Sequence, residues 1–468
     1  MVAKKDSLIQ GSIFKALFRL AIPIIGTSFV QMAYNMTDMI WVGRVGTRAV
    51  AAVGTASFYS WMSMAFILIP KIGAEVGVAQ SVGRQDMEEA KVYMKHSFQM
   101  VLFLALLYAS ILIIFRKPLI GFFNIKEADI VNDAITYLVI IALGMIFSFI
   151  NSVFSAIFNG YGESRTPFLV NSTGLVSNMI LDPLLILGIG PFPRLEVTGA
   201  ALATVIAQAM VTTIFILVAM RKPKLFSGLP LLTAPDLERI KKITKLGLPV
   251  AIQSGLFTGF SMMIARIIAQ WGPIPIAVEK VGSQIESISW MTAGGFQTAM
   301  STFAGQNFGA KKWSRVVKGY LIGLAIMIVF GLFTSGLLIF ASRPIFSIFI
   351  PEEETISYGI TYLKILGLSQ LFMCTESVTG GAFNGLGKTI PPSVTSITLN
   401  ALRIPMALAL SSTALGLNGV WWAISISSIL KGSLLPLWYI IMLKRNSDTK
   451  HIKISSLIFN KSTAVNIS

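Results

Sequence analysis

The chain of 468 residues is 54% hydrophobic and only 13% charged, and its mean hydropathy is +0.73. Soluble domains carry about 25% charged residues, so this composition excludes an ordinary soluble protein and favours one with many membrane spans. The net charge of +17 would suit a nucleic-acid-binding protein, but the Lys and Arg residues are scattered through short loops between apolar segments. That distribution is typical of a membrane protein with basic cytoplasmic loops. We therefore expect no nucleic-acid partner.

Twelve apolar segments are long enough to cross a bilayer, whose hydrocarbon core of about 30 Å needs a helix of about 20 residues. They are 13–41, 49–79, 94–115, 131–158, 166–190, 197–220, 243–270, 276–305, 316–342, 355–383, 392–413 and 418–443. Loops rich in Lys and Arg alternate with poorer ones, and this alternation predicts that both termini are cytoplasmic. The sequence thus predicts an all-α, multi-pass protein of the cell membrane.

The second half of the chain repeats the first. The matches are Pro23 with Pro249, Ser60-Trp61-Met62 with Ser289-Trp290-Met291, Gln80 and Gly83 with Gln306 and Gly309, Phe158-Asn159-Gly160 with Phe383-Asn384-Gly385, and Pro183 with Pro405. Because each half holds six spans, an even number, both halves must enter the membrane from the same side. We predict two six-helix bundles related by a parallel repeat, V-shaped with a central cavity, which is an architecture of alternating-access transporters.

A basic segment at the midpoint of the chain marks the expected boundary between the two halves. The predicted divisions are an N-terminal bundle at 1–220, a cytoplasmic linker at 221–245, a C-terminal bundle at 246–445 and a cytoplasmic tail at 446–468.

Residues and motifs that would indicate catalysis are few. The single cysteine, Cys374, excludes a disulfide or a thiolate metal cluster, and we expect the two histidines, His96 and His451, to be exposed at the ends of spans. The sequence has no GxxxxGK[ST] phosphate loop, no HExxH and no GxSxG. We therefore expect neither an enzyme nor a resident cofactor.

Two carboxylates lie deep within predicted spans, where an acid is costly and is by default a candidate functional residue. Asp38 lies in the outer half of the first span, and Asp182 lies about 22 Å along the fifth. Thr204 on the sixth span is expected at the same depth, and Asn178 precedes Asp182 by one turn on the same helix face.

This acid pair predicts an ion-coupling site. Two carboxylates in a low-dielectric site cannot both stay charged and unpaired, so they hold a proton or take a cation between them. The oxygens of Asp38, Asp182, Asn178 and Thr204 would be the ligands if the ion is Na⁺, and H⁺ stays equally open. The structural alternative is that Asp182 satisfies backbone groups freed at Pro183 and that Asp38 pairs with Asn178.

The first span carries further polar residues on the face that holds its acid. Gln31, Tyr34 and Asn35 share that face by their spacing of three and four residues, and we expect them to line the substrate cavity. Pro23 is the expected hinge, where ion binding would reshape the helix.

Four more charged residues lie within spans of the second half: Glu286, Glu376, Arg403 and Lys431. Two acids and two bases can neutralise one another inside a bundle, or they can line the cavity. Both interpretations stay open.

Several of these features together resemble the MATE (multidrug and toxic-compound extrusion) family. They are the first span with its late acid Asp38, the Gln-x-x-Gly at 80–83, the FNGYGESRTP stretch at 158–167 and the repeat of each, and the resemblance extends over about 12–444. It implies a cation-coupled antiporter that exports small organic, often cationic, compounds. Such a protein needs only the lipid bilayer as a further partner, and we expect a monomer.

The resemblance is closer to the branch of the family whose coupling acids lie in the N-terminal half. In another branch a carboxylate on the seventh helix and an Asp on the tenth matter. Here the stretch 253–257 has no acid, and Glu376 lies about one turn from the expected position. The alternative function is a flippase of a lipid-linked oligosaccharide or a related amphiphile, which would need more cations at membrane depth.

Overall fold

The computed structural model describes residues 8–231 and 233–449. Within this part of the chain the regular structure is helical, with fifteen α-helices, one short 3-10 turn at Ala269–Trp271 and no strand. The helices are α1 (Ile13–Val45), α2 (Thr47–Gly83), α3 (Met87–Ile114), α4 (Arg116–Gly121), α5 (Ala128–Tyr161), α6 (Arg165–Leu187), α7 (Glu196–Met220), α8 (Pro223–Phe226), α9 (Leu237–Ile268), α10 (Pro273–Gly309), α11 (Trp313–Phe340), α12 (Ser342–Ser347), α13 (Glu353–Gly385), α14 (Ile390–Ser411) and α15 (Leu417–Arg445).

Each of the twelve predicted spans coincides with one long helix, which confirms the all-α fold with its twelve long helices. Ten of these helices, in the part of the chain that is described, are both long and apolar enough to cross a membrane. The other two, α10 and α13, are longer than a span requires but more polar, and they pack against each other. The chain is therefore a multi-pass membrane protein.

The described chain divides into two compact units. The N-terminal unit comprises residues 22–82 and 86–251, and the C-terminal unit comprises 8–21, 83–85 and 252–449. Two of the four boundaries lie beside a proline within a helix, one inside α1, just before Pro23, and one inside α9, just after Pro249. Proline removes one main-chain hydrogen bond from a helix, so these two boundaries lie where a helix is weakened.

The repeat is visible as the same helix contact in each unit. In the N-terminal unit, a Cβ on Gly160 would lie 2.6 Å from the carbonyl oxygen of Glu75, so α5 and α2 meet closely there. In the C-terminal unit, a Cβ on Gly385 would lie 2.4 Å from the carbonyl oxygen of Ser301 on α10. Small residues let helix backbones approach in this way. The two glycines are the repeat-related residues of the FNG motifs.

The segment predicted as a linker packs against α3 in the N-terminal unit. Gln99 donates from Nε2 to the carbonyl oxygens of Leu231 and Thr233, at 2.9 and 2.8 Å. Arg239 forms an ion pair with Glu89. The end of the predicted linker is the start of α9, because the helix continues without a break from Leu237 into the membrane span.

This packing overturns the expected exposure of His96, which is only 3% exposed. The main-chain N–H of Asp236 donates to its Nε2 at 3.1 Å, and its Nδ1 lies 2.7 Å from the carbonyl oxygen of Val92. These partners assign a neutral imidazole with its proton on Nδ1. The prediction was wrong because the segment after α8 covers the ring. His451 lies outside the described residues.

Candidate functional site

The interior of the N-terminal unit holds a buried acid and a buried amide, one turn apart on α6. Asp182 on α6 is 0% exposed and Asn178, one turn earlier, is 2% exposed. Both carboxylate oxygens of Asp182 and both polar atoms of the Asn178 side chain are buried without a hydrogen-bond partner among the described residues. An unsatisfied buried polar group costs about 1–3 kcal/mol. A proton, a cation or water would remove that cost.

Asp38 on α1 is half-buried, and its charge interacts with that of Asp182. Tyr34, one turn before Asp38, lies with its phenol oxygen 3.4 Å from Oγ1 of Thr204 on α7. Thr204 also donates to the carbonyl oxygen of Ala200 at 3.1 Å. Three helices therefore bring the predicted ion-coupling residues into one region of the N-terminal unit.

The hydrogen bonds that a structural role for this acid pair would require are absent from the described residues. Asn178 has no hydrogen bond to Asp38, and neither oxygen of Asp182 accepts a bond from the backbone near Pro183. The two acids are thus not held in place by the partners that a purely structural role would require.

The two amides of α1 are hydrogen-bonded to each other. Gln31 donates from Nε2 to Oδ1 of Asn35 at 3.1 Å, and Asn35 is exposed. The two side chains together extend a polar surface along the helix from Tyr34. Their predicted contact with a substrate stays a prediction.

One residue of this region was missed in the sequence. Tyr137 on α5 is 7% exposed and interacts electrostatically with both Asp38 and Asp182. A signal for it exists: Tyr137 and Tyr362 are separated by 225 residues, as are Phe158 and Phe383 of the repeated motif. A phenol therefore stands at the same repeat position in each half.

Pro23 lies inside α1, which continues as a helix on both sides of it. The hydroxyl of Thr27 donates to the carbonyl oxygen of Pro23 at 3.1 Å. Close by, a Cβ on Gly26 would lie 2.9 Å from the ring of Phe168, so α1 packs tightly on α6 just beyond the proline. The position suits a hinge, and that role stays a prediction.

The charged residues of the C-terminal unit are largely paired. Nζ of Lys431 lies 3.1 Å from Oε2 of Glu376, and Ser396 donates to Oε1 of the same carboxylate at 2.7 Å. Arg403 donates to the hydroxyls of Ser427 and Ser428, at 2.9 and 3.0 Å. Three of the four predicted charges are therefore satisfied by bonds within the unit.

The fourth charge, Glu286 on α10, has no such bond. Its Oε1 is buried without a hydrogen-bond partner in the described chain, although the positive charge of Arg403 acts on it. Tyr362, which corresponds to Tyr137 in the repeat, interacts electrostatically with Glu286.

The described residues contain no group of three His, Cys, Asp or Glu side chains that could hold a metal ion. The oxygen donors around Asp182 instead mix carboxylate, amide and hydroxyl groups.

Comparison of the sequence with models of known protein families identifies the family of this chain. The family model described as MatE matches residues 23–184 and 249–409, one stretch in each half of the chain. The chain belongs to the MATE family. It is thus a member of a family of transporters, and the two matched stretches follow the internal repeat.

Two curated MATE relatives illustrate the range of similar proteins. The chain is 28% identical over 433 residues to a probable multidrug resistance protein NorM of Thermotoga maritima, covering 91% of this chain and 92% of the relative. It is 23% identical to an FAD transporter of Shewanella oneidensis, covering 92% of this chain and 94% of the relative.

Solved MATE structures have the same fold. A crystal structure of MATE in the bent conformation matches with a TM-score of 0.87 at 23% identity, over 98% of this chain and 99% of the other. An outward-facing multidrug resistance MATE transporter matches with a TM-score of 0.86 at 23% identity, over the same shares.

Proposed function

We propose that this chain is a secondary active exporter of small organic, often cationic, compounds that exchanges them for Na⁺ or H⁺ by alternating access. The observation that carries the proposal is Asp182. It is fully buried, neither of its oxygens has a hydrogen-bond partner among the described residues, and its charge interacts with that of Asp38. No ion pair joins either acid to a base in the described part of the chain.

Such a pair needs positive charge from outside the protein. Two like charges in a low-dielectric site repel, so binding of a proton or a cation between them is favourable. Asp182, Asp38, Asn178 and Thr204 would hold the ion, which arrives from solution and leaves again. Because the site then loses negative charge, a cationic cargo nearby is bound less tightly, and linkage makes this effect reciprocal.

The neighbouring residues connect this ion site to the cargo. Gln31, Tyr34 and Asn35 lie on the acid face of α1 and would contact the substrate. Pro23 would be the point at which the helix bends when the ion binds. Coupling then consists of one helix that has two arrangements, each favoured by a different ligand.

The flippase alternative has less support. A pyrophosphate-bearing lipid would need cations free to face it, but Lys431 is paired with Glu376 and the guanidinium of Arg403 is bonded to two serines. The name of the Thermotoga maritima relative, a probable multidrug resistance protein, also favours transport of organic compounds. We further propose a monomer with both termini cytoplasmic and no resident cofactor.

The test uses proteoliposomes loaded with a fluorescent lipophilic cation. An inward Na⁺ gradient and an inward H⁺ gradient are imposed separately on wild type, on Asp38→Asn and on Asp129→Asn. Asp129 is an exposed acid of the same unit that pairs with Arg48, so its variant controls for the chemical change.

We expect one gradient to drive export by wild type and Asp129→Asn but not by Asp38→Asn. That result would also name the ion. Full gradient-driven export by Asp38→Asn would contradict the coupling role. The absence of export under both gradients, with movement of a lipid-linked sugar, would support the flippase instead.

A further inference from the structure

The C-terminal unit has an open cavity of about 910 Å³ at the end where α10 passes into α11. Four cationic side chains line it, from Arg84, Lys311, Lys312 and Arg315, against one acidic side chain, that of Asp448. The lining therefore has a net positive charge of three. A cleft lined mainly by side chains of one sign of charge attracts ions of the opposite sign more strongly than the same side chains scattered over the surface.

The cations at the start of α11 are not neutralised by acids. Lys311, Lys312 and Arg315 form no ion pair with a carboxylate among the described residues. Arg315 donates to the carbonyl oxygens of Gln10 and Gly11, at 2.9 and 2.8 Å. Lys312 donates to the carbonyl oxygen of Ile9 at 2.9 Å. These neutral partners hold two of the cationic groups in place and leave their charge for a ligand.

The repeat-related turn between α2 and α3 shows what this end of α11 lacks. There Asp86 accepts a hydrogen bond from the N–H of Glu89 at 2.9 Å, and Glu88 and Glu89 add negative charge to the first turn. The first turn of α11 has no acid and no side-chain cap. The partial positive charge of its amide groups therefore adds to that of the cations.

The position of the cavity indicates a ligand at the membrane surface. It lies where two membrane helices end, and Trp313 and Phe308 line it with ring centroids 5.1 Å apart at 77°. Both rings are half-buried. Tryptophan at the end of a span is typical of the headgroup region of a bilayer.

We propose that this cavity binds the phosphate group of an anionic phospholipid. The cations and the helix end would contact the phosphate, and the Trp313–Phe308 pair would lie beside the glycerol and upper acyl chain. Basic pockets between membrane helices bind lipid phosphates in this way. A free phosphate ion has the same charged group but gains nothing from the aromatic side.

The experiment compares the protein with a double variant, Arg84→Gln with Lys311→Gln. Both side chains are exposed. The matched control, Lys241→Gln with Lys242→Gln, removes two exposed lysines from the start of α9 in the other unit. Each delipidated protein, in a neutral detergent, is titrated with short-chain phosphatidylglycerol, short-chain phosphatidylcholine and inorganic phosphate, and binding is measured by native mass spectrometry.

We expect wild type and the control to bind phosphatidylglycerol more tightly than phosphatidylcholine. The double variant should bind phosphatidylglycerol about thirtyfold more weakly, since it removes two cations and each Lys or Arg near anionic lipid contributes about 1 kcal/mol. Equal affinity for the two lipids, or an unchanged affinity in the variant, would overturn the proposal. Displacement of phosphatidylglycerol by inorganic phosphate at similar concentration would also overturn it, in favour of a soluble anion. If the double variant is unstable, Lys311→Gln alone should show a smaller loss of the same sign.

Discussion

The two units connect the same pair of helices by different chemistry. In the N-terminal unit, Asn151 on α5 donates to Oε1 of Gln208 on α7 at 2.9 Å and accepts from Thr212 at 2.8 Å. In the C-terminal unit, Glu376 on α13 forms an ion pair with Lys431 on α15. Asn151 and Glu376 are separated by 225 residues, as are the repeated Phe residues, so the amide and the acid occupy the same position.

This difference separates charge that supports the fold from charge that is available for binding. The N-terminal unit stabilises its helix pair without charge, and its two acids stay without bases. The C-terminal unit commits its acid to a lysine at the equivalent place. A duplicated fold thus tolerates either arrangement. Ion binding is expected at the acid pair of the N-terminal unit, because the unpaired Glu286 of the C-terminal unit has the positive charge of Arg403 acting on it.

The largest effect is expected from breaking the ion pair of the C-terminal unit. Glu376→Gln leaves Lys431, which is 7% exposed, without its counter-charge, and such a loss costs about 3–5 kcal/mol in free energy of unfolding. Thermal or denaturant unfolding in detergent measures it. The double variant with Lys431→Met should recover most of the loss. Equal instability of the single and double variants would show that the pair is not what stabilises this site.

The opposite behaviour is expected for the acid of the N-terminal unit. Asp182→Asn should reduce gradient-driven export by up to about a hundredfold, the size of a strong coupling between sites. Its stability should stay the same or rise, because the variant no longer buries an unpaired carboxylate. Export assays and unfolding curves on the same preparation test both parts. A large loss of stability would place Asp182 among the structural charges, with Glu376.

The repeated phenols give a direct comparison of the two units. Tyr137→Phe removes a hydroxyl beside the acid pair and should lower export about fivefold, equivalent to about 1 kcal/mol for one hydrogen bond. Tyr362→Phe, its repeat-related counterpart, should change export less than about twofold. Both are measured as initial rates of dye export. The reverse order would move ion coupling to the C-terminal unit, around Glu286.

The smallest effect concerns the two helix starts. Asp86→Ala removes the N-terminal cap of α3 and should lower the free energy of unfolding by about 1 kcal/mol, as the loss of other N-caps does. Ser314→Ala, in the uncapped first turn of α11, should stay within about 0.5 kcal/mol of wild type. Both are read from denaturant unfolding. A comparable loss in both variants would mean that the start of α11 has a cap of its own.

The sequence alone predicted those features of the fold that depend on the local periodicity of apolar and polar residues. The twelve apolar segments became twelve long helices, and Asn178 and Asp182 lie together because residues four apart share a helix face. The repeat predicted which glycines and prolines correspond. It also contained the signal for Tyr137, since the match with Tyr362 depends only on spacing.

Contacts between distant segments could not be predicted in the same way. The burial of His96 depends on a connection that folds back over α3, and composition alone does not show where such a segment packs. The pairing of Glu376 with Lys431 was one of several combinations among four charges. Choosing it required knowing that α13 and α15 are neighbours and at which depth their side chains meet.

Cys374 offers a practical consequence of the packing of α13. It is the only cysteine of the chain and is fully buried, so thiol reagents should not reach it in the folded protein. Spin labels or fluorophores can therefore be attached to introduced cysteines without first replacing the native one. Pairs of labels on either side of Pro23 and of Pro249 would report by spectroscopy whether α1 and α9 bend during the transport cycle.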